Sequence, residues 1–332
     1  LTYNLAIGPM SAEIIESVFK YSHNFNKPLM LIASRNQIDT DSGYVCTTSE
    51  YMEMVEKLRR KFPRSQVLIC RDHCGPGFGP KWENINDLEA TKKTIKNDLE
   101  HGFDLIHIDL CKAKCDSHKQ RLSLTKEMMS YAIDIRSDVL FEIGTDENVG
   151  IPEDNVDRIV SDLKSCQEIA NPIFYVVQTG SLVSRYKNSG TFNRNLAKSM
   201  AQALHENGAK LKEHNADYLN EKQIKERNGI VDAFNIAPQL GVIQTETTIL
   251  QSLIYGIDIE PFKELVVRSG NWKKWSNSQD EMEQLMLAGH YHFADDEYRR
   301  LMKKLLERNW ATKKAIQQYM WLLIEHYLFS MG

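Results

Sequence analysis

Between Leu5 and Gly256 a short apolar run followed by an amphipathic helical pattern recurs eight times. The runs are Leu5–Pro9, Pro28–Ser34, Gln66–Asp72, Leu105–Leu110, Val139–Gly144, Ile173–Gln178, Lys210–His214 and Asp232–Ala237. Most are bounded by Gly, Pro or polar clusters and are rich in Ile, Leu, Val or Phe, as buried parallel strands are. Helix signals fill the intervals. Ser11 caps the apolar pattern Ile14, Ile15, Val18, Phe19, and Thr48 and Ser49 open Glu50–Phe62 ahead of Pro63. Asp87 begins a charged helix ending near Gly102, Ser123 starts Leu124–Ile135, and Asn155 starts Val156–Ile169 ahead of Pro172. Phe192–Glu206 stops at Asn207-Gly208, Asn220–Arg227 at Asn228-Gly229, and Thr245–Tyr255 at Gly256. Eight such units in about 250 residues are the size of a (β/α)8 TIM barrel. A doubly wound sheet needs fewer units and a Gly-rich first turn, whereas the first turn here is Ile7-Gly8-Pro9-Met10-Ser11 and no G-x-G-x-x-G or P-loop occurs. The expected organisation is an α/β barrel over 1–256 and a C-terminal helical extension over 257–332. That extension holds Trp272, Trp275, Trp310 and Trp321 and packs on the barrel.

Composition narrows the function classes. Of 332 residues 42% are hydrophobic and 26% charged, which excludes a disordered chain. The net charge of −4 leaves no basic excess for nucleic acid. The longest apolar run, Met320–Phe329, is interrupted by Glu325 and His326 and is too short for a membrane span. The chain begins at Leu1 rather than Met, so its start is expected to be trimmed, and no signal-peptide pattern is visible. Six cysteines in a chain this long are not a disulfide framework, so a cytoplasmic location is expected. Cys111, Cys115 and His118 have part of a zinc-ligand spacing, but no second ligand pair follows, and a structural role is expected for them.

Barrel enzymes work at the C-terminal ends of their strands. Those ends carry Ser34, Arg35 and Asn36; Asp72 and His73; His107 and Asp109; Glu142 and Asp146; Gln178; His214, with Asp217 beyond; and Asn235. His73 and His214 lie four strands apart and so face each other across the barrel mouth. Two imidazoles and a carboxylate make a common catalytic zinc set, the carboxylate being Asp109, Glu142 or Asp146. Asp72 points away from His73 on an ideal strand, but relaxation at the strand end lets it serve as general base. His107 is expected to face inward with Asp109 and fill the barrel. Arg35 is suited to an anion such as phosphate, or equally to a salt bridge. His290 and His292 read as surface or packing residues of the extension. An imine-forming lysine, Lys210 or Lys212, is the less favoured rival, and no G-x-S-x-G supports a serine nucleophile.

These segments resemble a known family. Ala6-Ile7-Gly8-Pro9-Met10-Ser11, Ala33-Ser34-Arg35-Asn36-Gln37, Arg71-Asp72-His73-Cys74-Gly75-Pro76, Ile106-His107-Ile108-Asp109, Ile143-Gly144-Thr145-Asp146 and Glu213-His214-Asn215-Ala216-Asp217-Tyr218 are similar to the ordered motifs of the tagatose-bisphosphate aldolase Z-subunit family (GatZ/KbaZ-like). Gly270-Asn271-Trp272-Lys273-Lys274 follows it more loosely. The resemblance implies a (β/α)8 barrel related to class II, zinc-dependent aldolases. There an Asp-His pair on strand 3 supplies base and zinc ligand, strand 5 a Glu, and strands 6 and 7 further His ligands. Asp72, His73 and His214 match, with Glu142 as the strand 5 partner. Strand 6 departs, with Gln178-Thr179-Gly180-Ser181 where the His would be. Members of this family are described as non-catalytic partners of an aldolase subunit.

The leading expectation is therefore a zinc-dependent lyase or epimerase acting on a ketose or ketose phosphate through an enediolate. Asp72, Asp109 and Asp146 are its catalytic carboxylates, and His73, His214 and Glu142 its metal ligands. Ser34, Arg35, Asn36, Gln178 and Asn235 bind substrate, and the loop around Gln239–Gln244 holds hydroxyls or phosphate. The alternative is a non-catalytic subunit that stabilises a class II aldolase. Expected partners are a small sugar or sugar phosphate, a catalytic aldolase subunit and further copies of the chain, but neither nucleic acid nor membrane.

Overall fold

The computed structural model describes residues 2–79, 84 and 87–331. Leu1 and Gly332, the outer limits of the two expected units, lie outside the described residues. Eight parallel strands close a barrel: β1 Leu5–Ile7, β2 Leu29–Ser34, β3 Val67–Cys74, β4 Leu105–Ile108, β5 Leu140–Gly144, β6 Phe174–Val176, β7 Lys210–Glu213 and β8 Ala233–Ile236. Each pairs with its sequence neighbour, and β1 closes the ring on β8 through Leu5↔Phe234, Ala6↔Asn235 and Ile7↔Ile236. All eight apolar runs are strands, so the (β/α)8 architecture is the observed one.

The helices that follow the strands are α1 Ala12–Phe25, α2 Thr48–Lys61, α3 Leu88–His101, α4 His118–Ile135, α5 Val156–Gln167, α6 Arg194–Glu206, α7 Glu221–Arg227 and α8 Pro238–Ile254. Ser11, Asp87, Asn155 and Asn220 cap α1, α3, α5 and α7, each accepting a backbone N–H three residues on; such caps contribute about 1 kcal/mol each. Two helices begin earlier than their apolar pattern. Ser117, not Ser123, caps α4, because its first turn is polar and solvent-facing and so carries no periodic signal. Helix α8 begins at Pro238, whose fixed φ suits a first turn, and not at Thr245. The segment Gln239–Gln244 is therefore helical and not a loop.

Side-chain parity along the strands sorts the barrel interior. Ala6, Met30, Ile32, Cys70, Leu105, Phe174 and Ala233 form its apolar cluster. Continuing by steps of two toward the C-terminal ends leads to Ser34, Asp72, His107, Glu142, Lys212 and Asn235. The interior thus changes from apolar to ionisable toward the mouth. The outward faces join the helices in one large core, reinforced by buried ion pairs such as Arg71–Asp98 and Arg227–Glu213.

Residues 257–331 form α9 Glu260–Ser269, a 3-10 turn Asn271–Lys274, α10 Glu281–Ala288, a second 3-10 turn Gly289–His292, α11 Asp296–Arg308 and α12 Thr312–Ser330. Helix α12 lies along α1, α7 and α8. Trp321 donates to the Ser17 carbonyl at 3.1 Å, and Tyr327 donates to that of Ala216 at 2.5 Å. All six cysteines are free. Among the described residues no helix is long and apolar enough to cross a membrane.

Candidate active site

Strand β3 departs from regular pairing just where its side chains matter. Its register with β4 shifts between Arg71 and Cys74, and His73 takes a left-handed φ of 43°. Regular alternation would send His73 outward, as it does Arg71. The irregularity returns it to the mouth beside Asp72. Gly75 is part of the same device: a Cβ there would lie 1.7 Å from the Asp109 carbonyl oxygen, so only glycine allows the ends of β3 and β4 to approach this closely.

Four side chains converge as a result. One ligand atom from each of Asp72, His73, His107 and His214 lies within 4.8 Å of the others. Each imidazole has one nitrogen engaged behind it. His73 Nδ1 donates to Asp109 Oδ2 at 2.6 Å, His107 Nε2 donates to the Gly144 carbonyl at 2.9 Å, and His214 Nε2 lies 2.8 Å from Glu142 Oε1. The remaining nitrogens face Asp72: His107 Nδ1 at 3.3 Å, His73 Nε2 at 3.8 Å and His214 Nδ1 at 4.0 Å. Ring nitrogens backed by carboxylate or carbonyl acceptors are how histidine ligands are oriented in metal sites; among the converging nitrogens, His107 Nδ1 also accepts the His73 backbone N–H at 3.3 Å. Three imidazoles suit a divalent ion of the zinc type and leave a fourth position, beside Asp72, for a substrate oxygen.

Electrostatics set these groups apart. Burial works against the charge on Asp72, but the imidazoles of His73, His214 and His107 hold its carboxyl well below the usual range. Burial likewise opposes His107, yet Glu142, Asp72 and Asp109 raise it to about 9. Burial wins at His214, which falls to about 4. Glu142, 1% exposed, is held ionised against its burial chiefly by Lys212, whose Nζ lies 2.5 Å away. That contact commits the Lys212 ammonium to a carboxylate, while Lys210 is exposed at the start of β7.

The other expected residues divide between two cavities. Ser34, Arg35, Asn36 and Asn235 line one of about 880 Å³ together with Asp72, His73 and His214. Within it Arg35 is ion-paired to Asp39 at 3.0 Å, and the Asn235 amide is 2.8 Å from His214 Nε2. Gln178 and Asp109 line a second cavity of about 510 Å³ on the β4–β6 side. Asp146 is buried with Ser181, whose Oγ lies 3.0 Å from both Asp146 Oδ2 and the His214 carbonyl; burial raises Asp146 to about 7. Gln239 and Gln244 are structural. Gln239 accepts from the Tyr218 N–H, and fully buried Gln244 bonds Ser11 and Tyr298. The Cys111, Cys115, His118 spacing assembles no metal-ligand group among the described residues, and His118 bonds Asp162 at 2.7 Å.

Two contributions exceed the sequence reading. His107 joins the cluster instead of merely filling the barrel, and its parity with Leu105 and Asp109 was the available signal. The extension lines the main cavity with Gly270, Asn271, Lys274, Trp275, His290 and Tyr291, and no strand periodicity marks that segment.

A (β/α)8 barrel with a metal-competent cluster at its strand ends is the class that fold and site define, and solved structures share the fold. A probable tagatose 6 phosphate kinase from Sinorhizobium meliloti superposes with a TM-score of 0.79 at 17% identity, covering 98% of this chain and 99% of that one. Fructose-bisphosphate aldolase from Campylobacter jejuni gives 0.63 at 11% identity, covering 98% and 89%. The YdjI aldolase from Escherichia coli gives 0.54 at 13% identity, covering 93% and 92%. More particularly, residues 6–136 match the family model described as D-tagatose-1,6-bisphosphate aldolase subunit GatZ/KbaZ-like. A stretch of 101 residues is 28% identical to the D-tagatose-1,6-bisphosphate aldolase subunit GatZ of Klebsiella oxytoca, covering 29% of this chain and 23% of that relative. The resemblance read from the motifs is thereby shown, and the matched segment contains Asp72, His73, His107 and Asp109.

Proposed function

We propose that the chain is a divalent-metal-dependent enzyme of sugar metabolism that cleaves or epimerises a ketose or ketose phosphate. The observation that carries this reading is the convergence of Asp72, His73, His107 and His214 in a cavity large enough for a sugar. The metal would be held by His73, His107 and His214, and zinc suits that donor set. When bound, the ion supplies polarisation of a substrate carbonyl.

The chain's own groups supply the rest. Asp72, kept ionised by its imidazole neighbours, takes the proton of the hydroxyl on the carbon whose C–C bond breaks in cleavage and returns it to the carbon next to the carbonyl; in epimerisation it takes the proton from that carbon itself. Asp109 and Glu142 orient His73 and His214 from behind, and Lys212 keeps Glu142 charged. Ser34, Asn36 and Asn235 offer hydrogen bonds to sugar hydroxyls. Tyr44, Trp275 and Tyr291 wall the cavity against water. The missing strand 6 histidine is replaced in this arrangement by His107 of β4. Elemental analysis of purified protein tests the reading: one equivalent of divalent metal is expected, lost in His214→Ala, whereas a metal-free protein indifferent to that substitution overturns it.

A second reading, association with a catalytic aldolase subunit, is favoured by a different feature. Leu250, Leu253 and Ile254 on α8, and Tyr319, Leu322 and Phe329 on α12, are more than half exposed, each set at helical spacing on adjacent helices. Apolar side chains exposed together mark interaction surfaces. Co-purification with such a subunit, lost in a Leu253→Glu, Leu322→Glu double variant, supports it; no association of the unaltered chain excludes it.

A further inference from the structure

Barrels usually seat a phosphate on the loops after strands 7 and 8 and the helix N-terminus beside them. Here that seat is taken. The Asp217 carboxylate, 2% exposed, accepts the N–H of Ala237 at 3.0 Å and of Gln239 at 2.9 Å at the start of α8. A phosphoryl group placed there meets a carboxylate where it needs donors.

The extension offers what this place lacks. Lys274 lines the same cavity, is solvent-exposed within it, and holds its ammonium 4.6 Å from the Trp275 ring centroid. Among the described residues no carboxylate lies within ion-pair distance of it. Burial and then Lys112, whose Nζ rests 4.0 Å over the Phe78 ring, press the Lys274 ammonium toward its neutral form, and Asp217 opposes them from farther away. Two ammonium groups near each other, with a carboxylate only farther off, raise the positive potential at this wall. A separate observation comes from His290, which also lines the cavity, is 2% exposed, and has no hydrogen-bond partner at Nδ1. A buried polar atom without a partner costs about 1–3 kcal/mol until something satisfies it. His290 fits only because residue 241 is glycine, since a Cβ there would come within 2.5 Å of the His290 Cβ. Burial, then Lys274 and His292, push its pKa to about 3, so the ring is neutral and carries one N–H to give.

We propose that Lys274 and His290 seat a single phosphoryl group of the substrate, with the extension and not the β8–α8 junction recognising it. This rests on the reading of the cavity as a sugar site. Lys274 supplies the charge, Trp275 holds it in place, and His290 donates its N–H to a phosphoryl oxygen.

Calorimetric titration of the full chain with inorganic phosphate, in the presence of a chelator, tests this without metal chemistry. Lys274→Met is expected to weaken binding by about tenfold or more and His290→Phe by severalfold, the range for a charged hydrogen bond and a neutral one. Asp217→Asn is expected to change it less than about twofold. Phosphate binding equally to wild type and Lys274→Met, or to neither, overturns the proposal. So does tightening in Asp217→Asn with no effect of Lys274→Met, which places the phosphate on α8. Melting temperatures verify that the variants are folded. Because the chelated protein is used, a failure of metal binding leaves this result readable, and a failure here leaves the metal reading standing.

Discussion

The two walls of the main cavity are built on opposite principles. On the barrel wall each imidazole is engaged from behind: His73 by Asp109, His107 by Gly144 and His214 by Glu142. On the extension wall the polar groups wait: Lys274 has no counter-ion at contact distance among the described residues, and His290 Nδ1 has no partner. The barrel wall is organised before any ligand arrives, as a centre that must hold fixed geometry requires. The extension wall is left to be completed by what it binds. Substitutions should therefore act differently on the two sides, the barrel wall losing stability and metal, the extension wall losing only ligand.

The largest stability effect is expected behind the barrel wall. Arg71 and Asp98, both fully buried, meet at 2.6 Å, and Arg71 also donates to the Ala33 and Ile38 carbonyls beside the β3 irregularity. Asp98→Ala strands that guanidinium and should cost about 3–5 kcal/mol in urea unfolding. Glu142→Gln, which leaves Lys212 uncompensated, should approach the same cost and in addition weaken divalent-metal affinity by about 10–100-fold, as loss of an orienting partner does.

Asp146 gives a smaller effect that depends on pH. Burial raises its folded pKa from the ordinary 3.8 to about 7, so the folded state favours its protonated form. Its contribution to stability is then full below about pH 4 and falls as pH rises through about 7. Asp146→Asn should flatten that part of the stability profile, and a variant that keeps the wild-type slope shows that Asp146 is not the group responsible. The smallest effect belongs to the extension wall. Lys274→Met should shift stability by less than about 0.5 kcal/mol; a loss like that of Asp98→Ala would erase the distinction between the walls.

What was legible in the sequence follows the same division. The barrel announces itself because parallel strands buried on both faces must be apolar runs, and eight such runs separated by helices admit one closed topology. Strand parity then gives the inward positions, and with them Asp72, Glu142 and Asn235. His107 follows from the same parity, although its inward neighbour Asp109 fits plain packing equally well. His73 reaches the site only through a bulge and a positive φ, which no alternation rule specifies. The extension had no comparable code. Lys274 and His290 lie on 3-10 turns, the first packed on α9 and α10 and the second on α8 at the glycine of position 241, so their place in the cavity is tertiary information.

In the proposed site His73 on β3, His107 on β4 and His214 just beyond β7 bind one divalent ion in front of Asp72. Titrating chelator-treated protein with Co2+ and following its visible absorption addresses this most directly, because a compact nitrogen-rich site gives an intense spectrum. Saturation at one equivalent is predicted, lost alike in His73→Gln, His107→Gln and His214→Gln. Saturation that survives in His107→Gln, or no uptake by the unaltered chain, would contradict the account.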